Sequence, residues 1–128
     1  MPLVPISLRE GKSEQTSSTA LGDGVHPAMG RGHRRSGAGR FQIITEHPAN
    51  GLIYDASYVG IERSDDIVIV QITLSAGRKL GQKRKLYRRM SEILGKNPGL
   101  RPQDLVINLV EVAWENWSFS NGEGQYAM

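Results

Sequence analysis

The second residue of this sequence is a proline that directly follows the initiator methionine, and that placement has chemical content. Removal of Met1 is efficient before a small residue and leaves the Pro2 ring nitrogen as a free secondary amine. Burial among apolar groups disfavours the charged ammonium and lowers the pKa of an amine. Near neutrality such a nitrogen works as a general base, or as a general acid once protonated. A secondary amine can also attack a carbonyl to form an iminium ion. The plainer alternative is a proline that stiffens a strand start or merely favours methionine removal. Other reactive groupings are sparse. His26, His33 and His47 lack metal-ligand spacing and no carboxylate cluster accompanies them, so no metal or other cofactor is expected. The absence of cysteine excludes disulfides and thiolate sites. Gly77, Gly81 and Gly95 do not compose a phosphate loop. Glu46-His47 reads as a solvent-facing turn or a minor contributor to a pocket.

Charge narrows the partners further. The chain carries 16 Lys and Arg against 13 Asp and Glu, a formal charge of +3. One basic cluster is Arg31, Arg34, Arg35 and Arg40; the other runs Lys79, Lys83, Arg84, Lys85, Arg88 and Arg89. Such clusters permit nucleic-acid binding without specifying it. The second lies on a predicted helix and reads as a solvated face, so nucleic acid is not the expected partner. The start of the sequence has no basic, apolar signal-peptide pattern, and no apolar run approaches the ~20 residues that span a bilayer. The expected location is cytoplasmic.

The elements that must position Pro2 follow from periodicity. With 128 residues, one domain over 1–128 is expected. A strand is predicted at 3–8, then a helix capped by Ser13 with Leu21, Val25 and Met29 on one face. A second strand is predicted at 41–45, followed by the breakers Pro48, Asn50 and Gly51. The order then repeats. Residues 67–74 are almost continuously apolar and β-branched, as suits a strand covered on both faces. Residues 80–94 form an amphipathic helix with Leu80, Lys83, Tyr87, Met90 and Leu94 along one stripe and Leu86 and Ile93 beside it. A last strand is predicted at 105–110. Two β-α-β units pair their strands in parallel within each unit. The fold class is therefore α+β: a four-stranded mixed sheet with two helices on one face. The opposite, apolar face calls for an oligomer.

With the pattern placed, a resemblance appears. The start Met1-Pro2-Leu3-Val4, the stretch Arg40-Phe41-Gln42, the segment Gly60-Ile61-Glu62-Arg63-Ser64 and the tail Trp117-Ser118-Phe119 with Gly122-Glu123 together resemble the tautomerase superfamily. Within it the chain is similar to the malonate semialdehyde decarboxylases and their tautomerase-like neighbours. The resemblance implies a β-α-β-β-α-β subunit in a homotrimer, with Pro2 as the catalytic amine. It implies that Arg78 binds the carboxylate or carbonyl oxygen of a small carbonyl acid, for which a planar guanidinium is well shaped. It also implies that Trp117 and Phe119 line the pocket and keep it dry; plain core packing is the alternative for both.

Two departures shape the expected chemistry. The decarboxylases carry a second arginine where this chain has Ala76, and an aspartate where it has Gly39. Their loss argues against decarboxylation or hydration. A proton transfer in a 2-oxo acid or related conjugated carbonyl needs only the amine and an oxyanion partner. An isomerase, a keto-enol tautomerase, is therefore expected; the alternatives are a proline-dependent decarboxylase or hydratase, and a catalytically impaired binding protein. The second alternative comes from Gly30 to Gly39, rich in glycine and arginine where a helix end and turn are expected. Residues 30–37 can be encoded so that reading one base later gives Val-Glu-Ala-Ile-Gly-Val-Pro, which suggests a local frameshift. Read in frame, the segment shortens the first helix and impairs the site. Pro27, inside that helix, would cost ~3 kcal/mol or more in a helix interior.

Overall fold

The alternating residues after Pro2 form the first strand, β1 (Leu3–Arg9), in a computed structural model that describes residues 2–11, 16–29 and 39–126. A strand turns successive side chains to opposite faces. Accordingly Val4, Ile6 and Leu8 are buried, while Leu3, Pro5 and Ser7 are only half-buried.

Helix α1 (Ser18–Ala28) begins later than expected, because Ser17 is its N-cap: the Ser17 hydroxyl accepts from the Ala20 N–H at 3.4 Å. The predicted cap, Ser13, lies outside the described residues. Leu21, Val25 and Ala28 are buried. Pro27 sits in the final turn, where its missing donor ends the helix rather than breaking it. The Met29 N–H then bonds the His26 carbonyl at 3.2 Å, a tighter closing turn. The unusual segment, apart from Gly39, also lies outside the described residues.

Strand β2 (Phe41–His47) runs parallel to β1, β3 (Val68–Ser75) antiparallel to β1, and β4 (Leu105–Val112) parallel to β3. The resulting sheet has the order β2-β1-β3-β4 and is mixed, as expected. Helix α2 (Leu80–Lys96) joins β3 to β4 and packs beside α1. Glycine permits the close approach of the helices: a Cβ on Gly24 would stand 2.6 Å from Leu94 Cδ2.

One expectation is corrected by this packing. On α2 the buried residues are Met90 and Leu94, with Leu86 and Ile93 packed against the core, while Leu80 is 61% and Tyr87 38% exposed. Two helical stripes share Met90, and the core takes the one running through Leu86 and Ile93. Within the single chain, strand β3 is covered on one face. Val68, Val70, Ile72 and Leu74 are buried, but Gln71 on the other face is exposed. The same outer face carries Phe41, Ile43 and Val110, all exposed in the single chain.

Two polar anchors hold the long connection between β2 and β3. Arg9 donates to the Leu52 carbonyl at 2.9 and 3.1 Å, pairs with Asp65 at 3.0 Å and lies over the Tyr54 ring. Asp104, fully buried, accepts from the Ser64 N–H at 2.7 Å and from its hydroxyl at 2.8 Å. The first anchor holds the start of the connection. The second holds the end of the Gly60–Ser64 segment.

Candidate active site

The antiparallel pairing of β1 and β3 decides what Pro2 meets. Leu3 lies opposite Thr73, so the start of β1 stands beside the end of β3. Pro2 is buried at that end. Arg78 follows β3 by three residues, and its Nη1 donates to the Ser75 carbonyl at 3.4 Å. Two residues 76 positions apart thereby face one cavity of about 470 Å³.

The walls of that cavity divide by chemistry. Ile72 and Leu74 come from β3, Ala28 and Met29 from the end of α1, and Leu86 from α2; together they make an apolar lining. Helix α2 also presents Gln82, Lys85 and Arg89. Positions three and four apart share a helical face, which brings these polar groups to the same side as Leu86. Among the described residues no carboxylate lines the cavity. Among the described residues, Lys85 and Arg89 form no ion pair.

The neighbouring Lys83 behaves differently: it turns away to pair with Glu111 at 2.9 Å. The hydrogen bond from Lys83 is the main reason the Glu111 carboxyl is held below its ordinary range. The basic cluster on this helix is therefore not one uniform solvated face. Part of it lines a cavity, which sequence reasoning missed. The available signal was the spacing of Gln82, Lys85, Leu86 and Arg89, whose mixed polarity conceals the stripe.

Trp117 and Phe119 are placed elsewhere. The Trp117 Nε1–H donates to the buried Ser75 hydroxyl at 3.0 Å. Its ring stacks on Phe119 with centroids 5.2 Å apart, and Phe119 in turn meets Phe41 and Tyr126. Neither aromatic lines the Pro2 cavity within one chain. They adjoin it through Ser75, whose hydroxyl takes Trp117 and whose carbonyl takes Arg78. Ala76 and Gly39 are also absent from the lining. Among the described residues no group of three His, Asp or Glu side chains is placed to hold a metal ion. No helix among them is long and apolar enough to cross a membrane.

Known proteins resemble this chain over nearly its whole length. The family model described as "Tautomerase enzyme" matches residues 39–120. The chain is 33% identical over 125 residues to the probable tautomerase YusQ of Bacillus subtilis (strain 168), covering 98% of each chain. It is 33% identical over 126 residues to the probable tautomerase YrdN of the same organism, covering 98% of this chain and 96% of that one. Among solved structures, FG41 malonate semialdehyde decarboxylase inhibited by 3-bromopropiolate superposes with a TM-score of 0.85 at 32% identity, covering 98% of this chain and 94% of that one. The Q0 fused 4-OT wild-type symmetric trimer, at 21% identity, shares the fold, with a TM-score of 0.73 and 98% of both chains covered.

Proposed function

Since this chain belongs to the tautomerase superfamily, we propose that it is an isomerase that moves a proton between carbon and oxygen of a 2-oxo acid or related conjugated carbonyl compound. The observation that carries the reading is that Pro2 and Arg78 share one cavity. With Met1 removed, the neutral Pro2 amine accepts the enol O–H proton, and negative charge is shared between oxygen and the far carbon of the C=C bond. The ammonium so formed returns the proton to that carbon, giving the ketone and restoring the amine. Arg78 binds the acid group and the oxygen on which charge develops, where a fixed guanidinium acts strongly because water is partly excluded.

The surroundings favour a neutral amine. Ile72 and Leu74 remove solvation from the ammonium, and the positive Arg78, Lys85 and Arg89 repel it. Both effects lower the pKa of an amine. Ala76 and Gly39 stand where the decarboxylases resembled by the chain carry an arginine and an aspartate, and this favours proton transfer over decarboxylation or hydration. Trp117 and Phe119 act from behind Ser75, or complete a neighbouring subunit's pocket in a homotrimer built on the exposed sheet face. A cytoplasmic location and no cofactor accompany this reading.

Ketonisation of phenylenolpyruvate, followed by ultraviolet absorbance, tests it. The protein with Met1 removed is expected to turn over the enol, and Pro2→Ala to lose at least about a hundredfold, the usual lower range for a positioned acid-base group. Equal rates for the two proteins refute the role of Pro2. No activity in either moves the reading to a catalytically impaired binding protein.

A further inference from the structure

We infer that the cavity selects a dianionic acid, with Arg78 taking one anionic group and Lys85 and Arg89 the other. The inference rests on the proposed function only for the identity of the reacting end. Among the described residues the cavity wall carries three cationic side chains and no carboxylate. Among the described residues Lys85 and Arg89 have no acidic partner, although Lys83 on the same helix has one in Glu111. A lone carboxylate bound at Arg78 leaves the half-buried Arg89 and the exposed Lys85 facing the same cavity without an anion. A second anionic group there gains a charge-assisted contact with both.

Position separates the two anion sites. Arg78 precedes α2, whereas Arg89 lies nearly three turns into it. Between residues 82 and 89 the helix rises about 10 Å, at 1.5 Å per residue. Arg78 is therefore at the Pro2 end, beside Ser75, and Arg89 lies farther along the cavity. Leu86 lies between Lys85 and Arg89 in sequence and faces the same cavity, with Met29 also on the wall. That sequence of surfaces fits a small acid with an apolar or unsaturated middle and an anionic group at each end. Arginine can grip the distal group bidentately, and Gln82 adds a neutral hydrogen-bonding amide. Carboxylate and phosphate at the distal end share this chemistry.

Matched ligands test the inference in two ways. In calorimetric titration of the whole protein with Met1 removed, 4-carboxycinnamate is expected to bind at least about tenfold more tightly than cinnamate, as a charge-assisted contact implies. The doubly substituted Lys85→Gln, Arg89→Gln protein is expected to lose that preference. A cinnamate carrying a 4-phosphonate compares the two kinds of distal anion. The second readout is kcat/KM for phenylenolpyruvate and its 4-carboxy derivative, whose ratio is expected to fall at least tenfold in the same variant. Equal binding of mono- and dianion by the wild type overturns the inference, as does failure to bind either. So does a double variant that retains the preference. If Pro2→Ala leaves turnover unchanged while the dianion preference in binding persists, the proline chemistry fails and the distal anion site stands.

Discussion

Asp104→Asn puts a number on the anchor that holds the Gly60–Ser64 segment. The Asp104 carboxylate is fully buried and accepts two hydrogen bonds from Ser64, at 2.7 and 2.8 Å, with Arg101 Nη1 at 3.7 Å. Asparagine occupies the same space but offers one acceptor oxygen and a donor amide. The Ser64 N–H can retain the oxygen, provided that the hydroxyl reverses to accept from the new amide. What disappears is the charge. Hydrogen bonds to charged groups contribute about 1.5–3 kcal/mol each, against about 1 for neutral ones, so two weakened bonds lose roughly 1–4 kcal/mol. Arg101 is 42% exposed, and its attraction adds less than about 1 kcal/mol. Relief from burying a charge works in the opposite direction and brings the expectation to about 2 kcal/mol. At ~2.1 cal/mol/K per residue, this lowers the unfolding temperature of a 128-residue chain by about 7 °C. Urea unfolding followed by tryptophan fluorescence, repeated across protein concentrations, measures the loss separately from any subunit dissociation. Ser64→Ala alone should lose about 1.5–3 kcal/mol, and less in the Asp104→Asn background, because the two groups share a bond. A loss below about 0.5 kcal/mol for Asp104→Asn, or strict additivity in the double variant, refutes the anchoring argument.

Trp117→Phe keeps a ring against Phe119 but deletes the donor to the buried Ser75 hydroxyl. It should destabilise the fold by about 1–2 kcal/mol in the same urea assay, and an unchanged midpoint would show that the bond contributes nothing. Asp65 accepts the Tyr54 hydroxyl at 2.6 Å, and this hydrogen bond is the main cause raising the Tyr54 pKa. Asp65→Asn should bring that pKa down towards its ordinary value, read from phenolate absorbance at high pH. A raised pKa marks stability that is present below the unfolded value and disappears as pH rises through the folded one. The stability gap between wild type and Asp65→Asn should therefore narrow in alkaline solution; a constant gap contradicts the assignment.

The β-α-β repeat was legible because it is written in local periods. Alternation in 3–8 and the β-branched run in 67–74 each specify a strand without help from elsewhere, and β1 and β3 formed there. The core stripe of α2 was only partly legible: Met90 and Leu94 were on the expected stripe with Leu86 and Ile93 beside it, but Met90 belongs equally to two helical stripes and only contact with α1 chooses between them. Pro2 could be singled out from its chemistry alone, whereas Arg78 required a family resemblance. Their common cavity depends on β1 and β3 pairing antiparallel, a long-range choice with no local signature. Lys85 and Arg89 were hidden for the opposite reason. They sit in a run of cations, and the mixed polarity of the stripe through Gln82, Lys85, Leu86 and Arg89 conceals which of them turns inward. Asp104 gave no signal either, since an acid after proline and glutamine reads as an ordinary turn until Ser64 is placed beside it.

The same antiparallel pair has a second end, where β1 finishes and β3 begins. It too has an arginine, but Arg9 is fully engaged by Leu52, Asp65 and Tyr54. The residue just before β3 there is Ile67, whose nitrogen belongs to an internal peptide bond and bonds the Ser64 carbonyl. A nearly twofold scaffold is thus chemically polarised. Its two ends look alike as topology, yet only one combines a strand-start proline with a cation free to meet a ligand. The expected stoichiometry is therefore one acid per chain rather than two, however many chains assemble.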